Sequence, residues 1–294
     1  MRFHISHQTQ YDYPFYASDS FAELRVCPQD GPGQKVLQRG LEISPQTLVE
    51  QYSDYFGNTV EFFSIPYRHQ KLSVHAWADV ETESLPMPTL ALEVTTAEAL
   101  QIYKGQILDI FDFLQPSHYV PLGEVLKEIE EVFFRPSRTL GESLLELNSW
   151  IHGNFEYKQG VTDISTPLRQ VIAQRKGVCQ DFAHLMLGIL RRSGIPARYV
   201  SGYIEAVDPT KKKPNLVGAA ASHAWVEVLL PGLNWWGLDP TNHQVAGERH
   251  VRVAVGRDYR DVTPVRGTYL GAQHQKLQVI VSMKRQTQPA VPSL

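Results

Sequence analysis

The apolar positions change period partway along the chain. Near the start they alternate, as in Phe3-His4-Ile5-Ser6-His7-Gln8-Thr9, and Leu72, Val74, Ala76 and Ala78 share one face of the run Lys71 to Val80. Gly57-Asn58 makes a turn signal just ahead of Val60-Glu61-Phe62-Phe63. Short alternating runs separated by turns predict an N-terminal β-sandwich-like domain over residues 1–85. Pro86-Met87-Pro88 and its Glu and Ser neighbours then predict a linker and connecting segment over 86–120. Beyond it the period turns helical. Thr139-Leu140-Gly141-Glu142 has capping-box spacing ahead of Leu144, Leu145, Leu147 and Ile151, which predicts a helix to about His152. Thr166-Pro167 opens a second, carrying Leu168, Val171 and Ile172. A third places Phe182, Leu185, Met186, Ile189 and Leu190 on one face and stops at Gly194, ahead of Pro196. Strand-like runs follow at Ala197 to Ala206, Ser222 to Leu230, Asn234 to Leu238, Val251 to Val255 and Leu277 to Val281. Helices followed by strands predict an α+β core over 121–285, with a frayed tail at 286–294.

Composition narrows the function. The chain has 294 residues, enough for two domains, with 43% apolar and 20% charged residues, as expected of a folded soluble protein. A formal charge of −3 argues against a nucleic-acid binder or a protein of anionic membranes. The basic run Lys211-Lys212-Lys213 reads as a solvated loop. Two cysteines, Cys27 and Cys179, make no disulfide framework, and their spacing suggests no zinc or redox motif. The first residues lack a signal-peptide core, and no stretch approaches the roughly 18 apolar residues of a membrane span. The expectation is a cytoplasmic protein without metal or cofactor.

One stretch carries candidate chemistry. In Lys176-Gly177-Val178-Cys179-Gln180-Asp181-Phe182-Ala183-His184 a glycine delivers a cysteine to a helix start, where free backbone N–H groups and the helix dipole favour a thiolate. A buried cysteine packing as a small hydrophobe is the plain alternative. A cysteine nucleophile needs a base, and the base needs an orienting group. Ser222-His223-Ala224-Trp225 and Leu238-Asp239-Pro240-Thr241 flank the turn Pro231-Gly232. A regular hairpin centred on Pro231 puts His223 and Asp239 directly opposite each other, on one face. The tripeptide recurs at His75-Ala76-Trp77 without an Asp-Pro partner at hairpin distance, so that copy reads as structural. His184 reads as a wall or core contact, and Asp181 as a helix-dipole partner or a pocket residue. His243, His250 and His274 show no metal-ligand spacing and read as surface or packing residues.

The cysteine segment, the run Leu190 to Tyr203, and the His-Ala-Trp and Asp-Pro-Thr segments, in that order, resemble the transglutaminase-like superfamily. The likeness is narrowest to its bacterial branch of cysteine-protease-like proteins with an N-terminal β-domain, which Phe56-Gly57-Asn58 and its surrounding strands fit. The resemblance implies a papain-like core with Cys179 as nucleophile, His223 as general base and acid, and Asp239 as the orienting residue. Candidate oxyanion donors are the Cys179 backbone N–H and Tyr157, which resembles an upstream aromatic position near the site in this superfamily or is a half-buried strand tyrosine. Gln174 invites comparison with the papain arrangement or faces solvent. Trp225, with Trp235 and Trp236, lines a groove or fills core. No acidic cluster has calcium-loop spacing. The expected reaction is acyl transfer through a thioester from a peptide or protein substrate, hydrolysis being favoured over transfer to an amine acceptor. The other reading is a binding or scaffold protein that keeps the fold without the activity.

Overall fold

A computed structural model of the chain describes residues 1–205, 222–232 and 234–286. The lysine run at 211–213 and the tail from 287 lie outside the described residues. Five strands open the chain: β1 (Arg2–Leu24), β2 (Gln34–Ser44), β3 (Val49–Ser53), β4 (Thr59–Ile65) and β5 (His69–Thr82). Helices α1 (Thr89–Glu93), α2 (Thr96–Gly105), α3 (Ile107–Ile110), α4 (Lys127–Phe133) and α5 (Leu140–Asn154) follow. Next come β6 (Glu156–Tyr157), α6 (Leu168–Gln174), β7 (Lys176–Gly177) and α7 (Cys179–Arg192). The chain ends in β8 (Ala197–Ile204), β9 (His223–Leu230), β10 (Asn234–Asp239), β11 (Gln244–Val245), β12 (His250–Gly256), β13 (Val265–Leu270) and β14 (Lys276–Arg285).

The N-terminal β region is organised by β1, long enough at 23 residues to serve two arms of a seven-stranded sheet. Its first half pairs with β5 and β14, its second half with β4 and β13, and a register break lies between them. Alternation holds where the sequence placed it: Phe3, Ile5, His7 and Thr9 point inward. The second body is a five-stranded antiparallel sheet in the order β11-β10-β9-β8-β12, with α7 packed against β8 and β9. Phe182, Leu185, Met186, Ile189 and Leu190 are all buried there, and the helix ends before Gly194, whose φ of +76° suits glycine. Phe3, Ile5, Val281 and Met283 belong to the same apolar cluster as α7, so the two sheets share one core. Among the described residues no helix is long and apolar enough to cross a membrane.

Two segments differ from the sequence expectation. The stretch read as a linker over 86–120 carries α1, α2 and α3, and Ala99, Tyr103 and Ile110 are buried in the main core. Thr95 and Glu98 close a capping box on α2, and the Tyr103 hydroxyl donates to the Leu229 carbonyl at 2.5 Å. Strands β13 and β14, read as part of the second body, return to pair with β1.

Candidate active site

The start of α7 is held from inside its first turn. Valine at the N-cap offers no side-chain acceptor, so Asp181 alone reaches back, accepting the Val178 N–H at 2.8 Å. Glycine at 177 makes room for this, since a Cβ there would sit 2.7 Å from Asp181 Oδ2. The same oxygen accepts the Thr162 hydroxyl at 2.7 Å, tying the loop before α6 to the helix start. Burial pushes the Asp181 carboxyl up, against the lowering effect of those two hydrogen bonds. Cys179 is the first residue of the helix, 9% exposed. Parallel pairing of β6 with β7 sets Tyr157 beside Gly177, and its ring meets Phe182 edge-on at 6.4 Å. Burial first, then the Cys179 charge, pushes the Tyr157 phenol up and keeps it an O–H donor.

The hairpin of β9 and β10 brings His223 and Asp239 together, in a register two residues from the expected one. Asn234 pairs with Leu230 and Leu238 with Val226, which centres the loop on Gly232. His223 therefore sits diagonal to Asp239. A diagonal pair still shares a face, and long side chains span it. His223 Nε2 and Asp239 Oδ2 are 2.9 Å apart, with both side chains wholly buried. Asp239 Oδ1 accepts the backbone N–H groups of Thr241 at 3.0 Å and Asn242 at 3.2 Å. Its Oδ2 also accepts from Asn242 Nδ2 at 2.8 Å and from His250 Nε2 at 3.3 Å.

Electrostatics follow from that shell. Burial alone would lower the His223 pKa, but the charge and hydrogen bond of Asp239, with a contribution from Cys179, raise it to about 10. Asp239 is held well below the usual carboxylate range: burial opposes ionisation, and the His223 charge and the histidine hydrogen bonds outweigh it. The other ring nitrogen, His223 Nδ1, is buried and meets no hydrogen-bond geometry with any of the described residues.

The sequence reading missed His250. It is buried, in line with the packing alternative, but it also bonds the candidate orienting carboxylate from β12. No local spacing marks it, because contact with Asp239 depends on where the five-stranded sheet sets its edge strand. Ligand atoms of His223, Asp239 and His250 lie within 4.8 Å of one another, a spacing open to a metal ion. The donors around them describe a hydrogen-bonded cluster instead: Asn242 Nδ2 and two backbone N–H groups already occupy the carboxylate.

The remaining candidates separate clearly. Trp225 is buried and stacks on His223, with ring centroids 6.2 Å apart. It also lines a cleft of about 910 Å³ together with Trp235, Trp236 and His250. Gln174 is exposed at the end of α6, in line with the solvent-facing alternative. His184 is a core residue, accepting the Tyr259 N–H at 3.2 Å and stacked on Tyr119.

A model of the transglutaminase-like superfamily matches residues 129–240, and one of the bacterial transglutaminase-like N-terminal region matches residues 3–81. An uncharacterised protein of Mycobacterium leprae is 34% identical over 288 residues, spanning 97% of this chain and 99% of its own. A protein-glutamine gamma-glutamyltransferase of Pseudomonas aeruginosa is 33% identical over 137 residues, 46% of this chain and 20% of its own length. Among solved structures, a protein of Cytophaga hutchinsonii described as a candidate cysteine protease superposes with a TM-score of 0.71 at 24% identity, over 98% of this chain and 92% of its own.

Proposed function

The chain belongs to the transglutaminase-like superfamily, and from that premise we propose that it is a cysteine-dependent acyl-transfer enzyme acting on a peptide or carboxamide bond. One observation carries the reading: a buried histidine is held by a carboxylate on one nitrogen, its other nitrogen has no other hydrogen-bond partner among the described residues, and Cys179 is one of the groups that raise its pKa. In this reading Cys179 is the nucleophile, His223 the base and acid, and Asp239 the group that fixes the imidazole. The Cys179 sulfur attacks the carbonyl carbon, and the electron pair moves to oxygen. The Cys179 N–H and the Tyr157 hydroxyl are the candidate donors to that oxyanion. Collapse breaks the C–N bond, and the proton on His223 goes to the leaving amine, leaving a thioester. Water, giving its proton to His223, then attacks the thioester carbon, releases a carboxylic acid and restores the cysteine. An amine in place of water gives transamidation, and we favour water. Free, buried Cys27 and Cys179 fit a reducing, cytoplasmic setting.

The test is the pH profile of Cys179 alkylation by iodoacetamide, with Cys27 replaced by serine and His223→Ala as comparison. A thiolate present well below the ordinary thiol value of about 8.5, and lost with His223, is the expected outcome. Turnover of amide or peptide substrates then disappears in Cys179→Ala, with the unfolding midpoint nearly unchanged. Isopeptide products in preference to free acid would replace hydrolysis with transamidation. The 9% exposure of Cys179 favours the second reading, a scaffold that keeps the fold, and an inert thiol unaffected by His223→Ala decides for it.

A further inference from the structure

Asp239 is held by more donors than one imidazole requires, and one of them has a fixed direction. Gly247 N–H lies 3.2 Å from His250 Nδ1. A backbone N–H only donates, so Nδ1 carries the lone pair and the ring hydrogen sits on Nε2. The turn is closed in the opposite sense by the His250 N–H, which donates to the Gly247 carbonyl at 2.8 Å. The neutral ring therefore has one tautomer, and its Nε2–H points at Asp239 Oδ2 across 3.3 Å. Gly247, His250 and Trp225 line the 910 Å³ cleft, and Asp239, with no exposed surface, lies behind them.

We propose that His250 is a positioning residue for the reaction proposed above: a neutral Nε2–H donor, locked by Gly247, that aims the Asp239 carboxylate at His223 and closes it off from the cleft. The inference rests on that functional reading, and the geometry supports it from two sides. Trp225 packs against both rings, stacked on His223 at 6.2 Å and edge-on to His250 at 5.2 Å, and the two imidazoles also meet directly at 6.2 Å, so the three rings form one packed group. The charged groups facing His250 are Asp239 and His223 from the hairpin and Arg249 beside it on its own turn. Burial, with the His223 and Arg249 charges, holds His250 below the ordinary imidazole range against the pull of Asp239, so it stays a neutral donor where a thiolate–imidazolium pair operates. Without that donor the backbone N–H groups still hold Oδ1, but Oδ2 loses the hydrogen bond on its cleft side, and its hold on the His223 N–H weakens.

Two substitutions isolate the donor. In His250→Gln the amide nitrogen reaches the place of Nε2, whereas His250→Phe keeps the ring and loses the donor; both leave Gly247 N–H without its acceptor. In the full chain with Cys27 replaced by serine, the midpoint of Cys179 alkylation against pH is expected to move up by about one unit in His250→Phe, toward an ordinary thiol. His250→Gln is expected to keep most of the wild-type profile. Superimposable profiles for all three proteins overturn the proposal, as does a Gln variant shifted as far as the Phe variant. Nitrogen-15 spectra of the wild-type ring give a readout independent of variant folding: His250 should remain the neutral Nε2–H tautomer across about pH 5 to 8. A protonated ring, or an Nδ1–H tautomer, overturns the proposal. A wild-type thiol with an ordinary profile, unmoved by His223→Ala, sinks the enzymatic reading instead, and the ring spectra still decide whether His250 donates to Asp239.

Discussion

Burial has opposite effects on two histidines because their partners differ. His223 faces a carboxylate and its pKa rises to about 10, while His7 faces only hydroxyls and burial lowers it to about 4. The Tyr203 hydroxyl gives its hydrogen to the Val26 carbonyl at 2.8 Å, so at its 2.8 Å contact with His7 it accepts, and His7 carries its proton on Nδ1. A neutral His7 gives acid sensitivity with a definite sign. Between the folded value of about 4 and the ordinary 6.5 the unfolded chain binds a proton that the folded chain does not. Its contribution is therefore complete above pH 6.5 and is lost as pH falls toward 4, by about 3 kcal/mol at the limit. Urea midpoints measured down this range should fall in the wild type and fall less steeply in His7→Gln; equal slopes would contradict the assignment. The raised value of His223 acts in the other direction, stabilising below 6.5 and fading as pH rises through about 10. At this scale the sequence shows part of the site. Asp239 could be paired with His223 because both flank one turn, whereas His250 comes from another strand, and its only neighbourhood signal is the fold itself.

Period and turn chemistry located the hairpin but not its register. Pro231-Gly232 marks the turn correctly, yet the glycine, at φ +98°, lies at its centre, one residue beyond a Pro231-centred loop. A shift of the centre by one residue moves the pairing by two, so the inward face is conserved and the His223–Asp239 contact survives. The helix starts at Thr139 and Cys179 were legible because capping spacing and glycine are local signals. Helix α2 carries the same kind of signal, a Thr95–Glu98 capping box ahead of Ala99, Leu100 and Tyr103, but the prolines just upstream make the whole stretch read as a linker. Within the five-stranded sheet, Gly202 opposes His223 on β9, and Trp225 lies across the space a side chain would fill. A Cβ at 202 would come 2.2 Å from the Val251 carbonyl oxygen and 2.6 Å from the Trp225 ring. The backbone oxygen has no rotamer to escape into. Gly202→Ala should lose roughly 3 kcal/mol in chemical denaturation and displace Trp225 from His223, read as altered tryptophan fluorescence. A variant of wild-type stability and spectrum would show that β8 and β12 separate more easily than the packing implies.

The N-terminal sheet completes the core sheet as well as packing on it. Strand β12 is an edge, and edge backbone groups that find no partner are a liability. Three side-chain amides from the first sheet and its loops fill that role. Gln34 accepts the Arg252 N–H at 2.7 Å and donates to the Arg252 carbonyl at 2.8 Å, and Gln29 donates to the Val253 carbonyl at 2.9 Å. Asn58 accepts the Val255 N–H at 2.8 Å and donates to its carbonyl at 2.7 Å. These contacts, like the return of β13 and β14 to β1, join residues some 200 or more apart in sequence, a distance at which periodicity carries no information. The sequence therefore reads as two successive domains, and the contacts that join the two sheets are the part it does not show. The consequence for stability is sharpest at Asn58, which is 2% exposed and, like Gln34, serves both groups of one residue. Asn58→Ala strands a buried N–H and a buried carbonyl on Val255, at a cost of about 3 kcal/mol. The expected outcome is a lower urea midpoint together with faster amide exchange at Val255, while the pH profile of Cys179 alkylation keeps its shape because β9 and β10 are untouched. Unchanged exchange at Val255 would mean that water replaces the amide at the edge, and the first sheet would then be a neighbour of β12 rather than its partner.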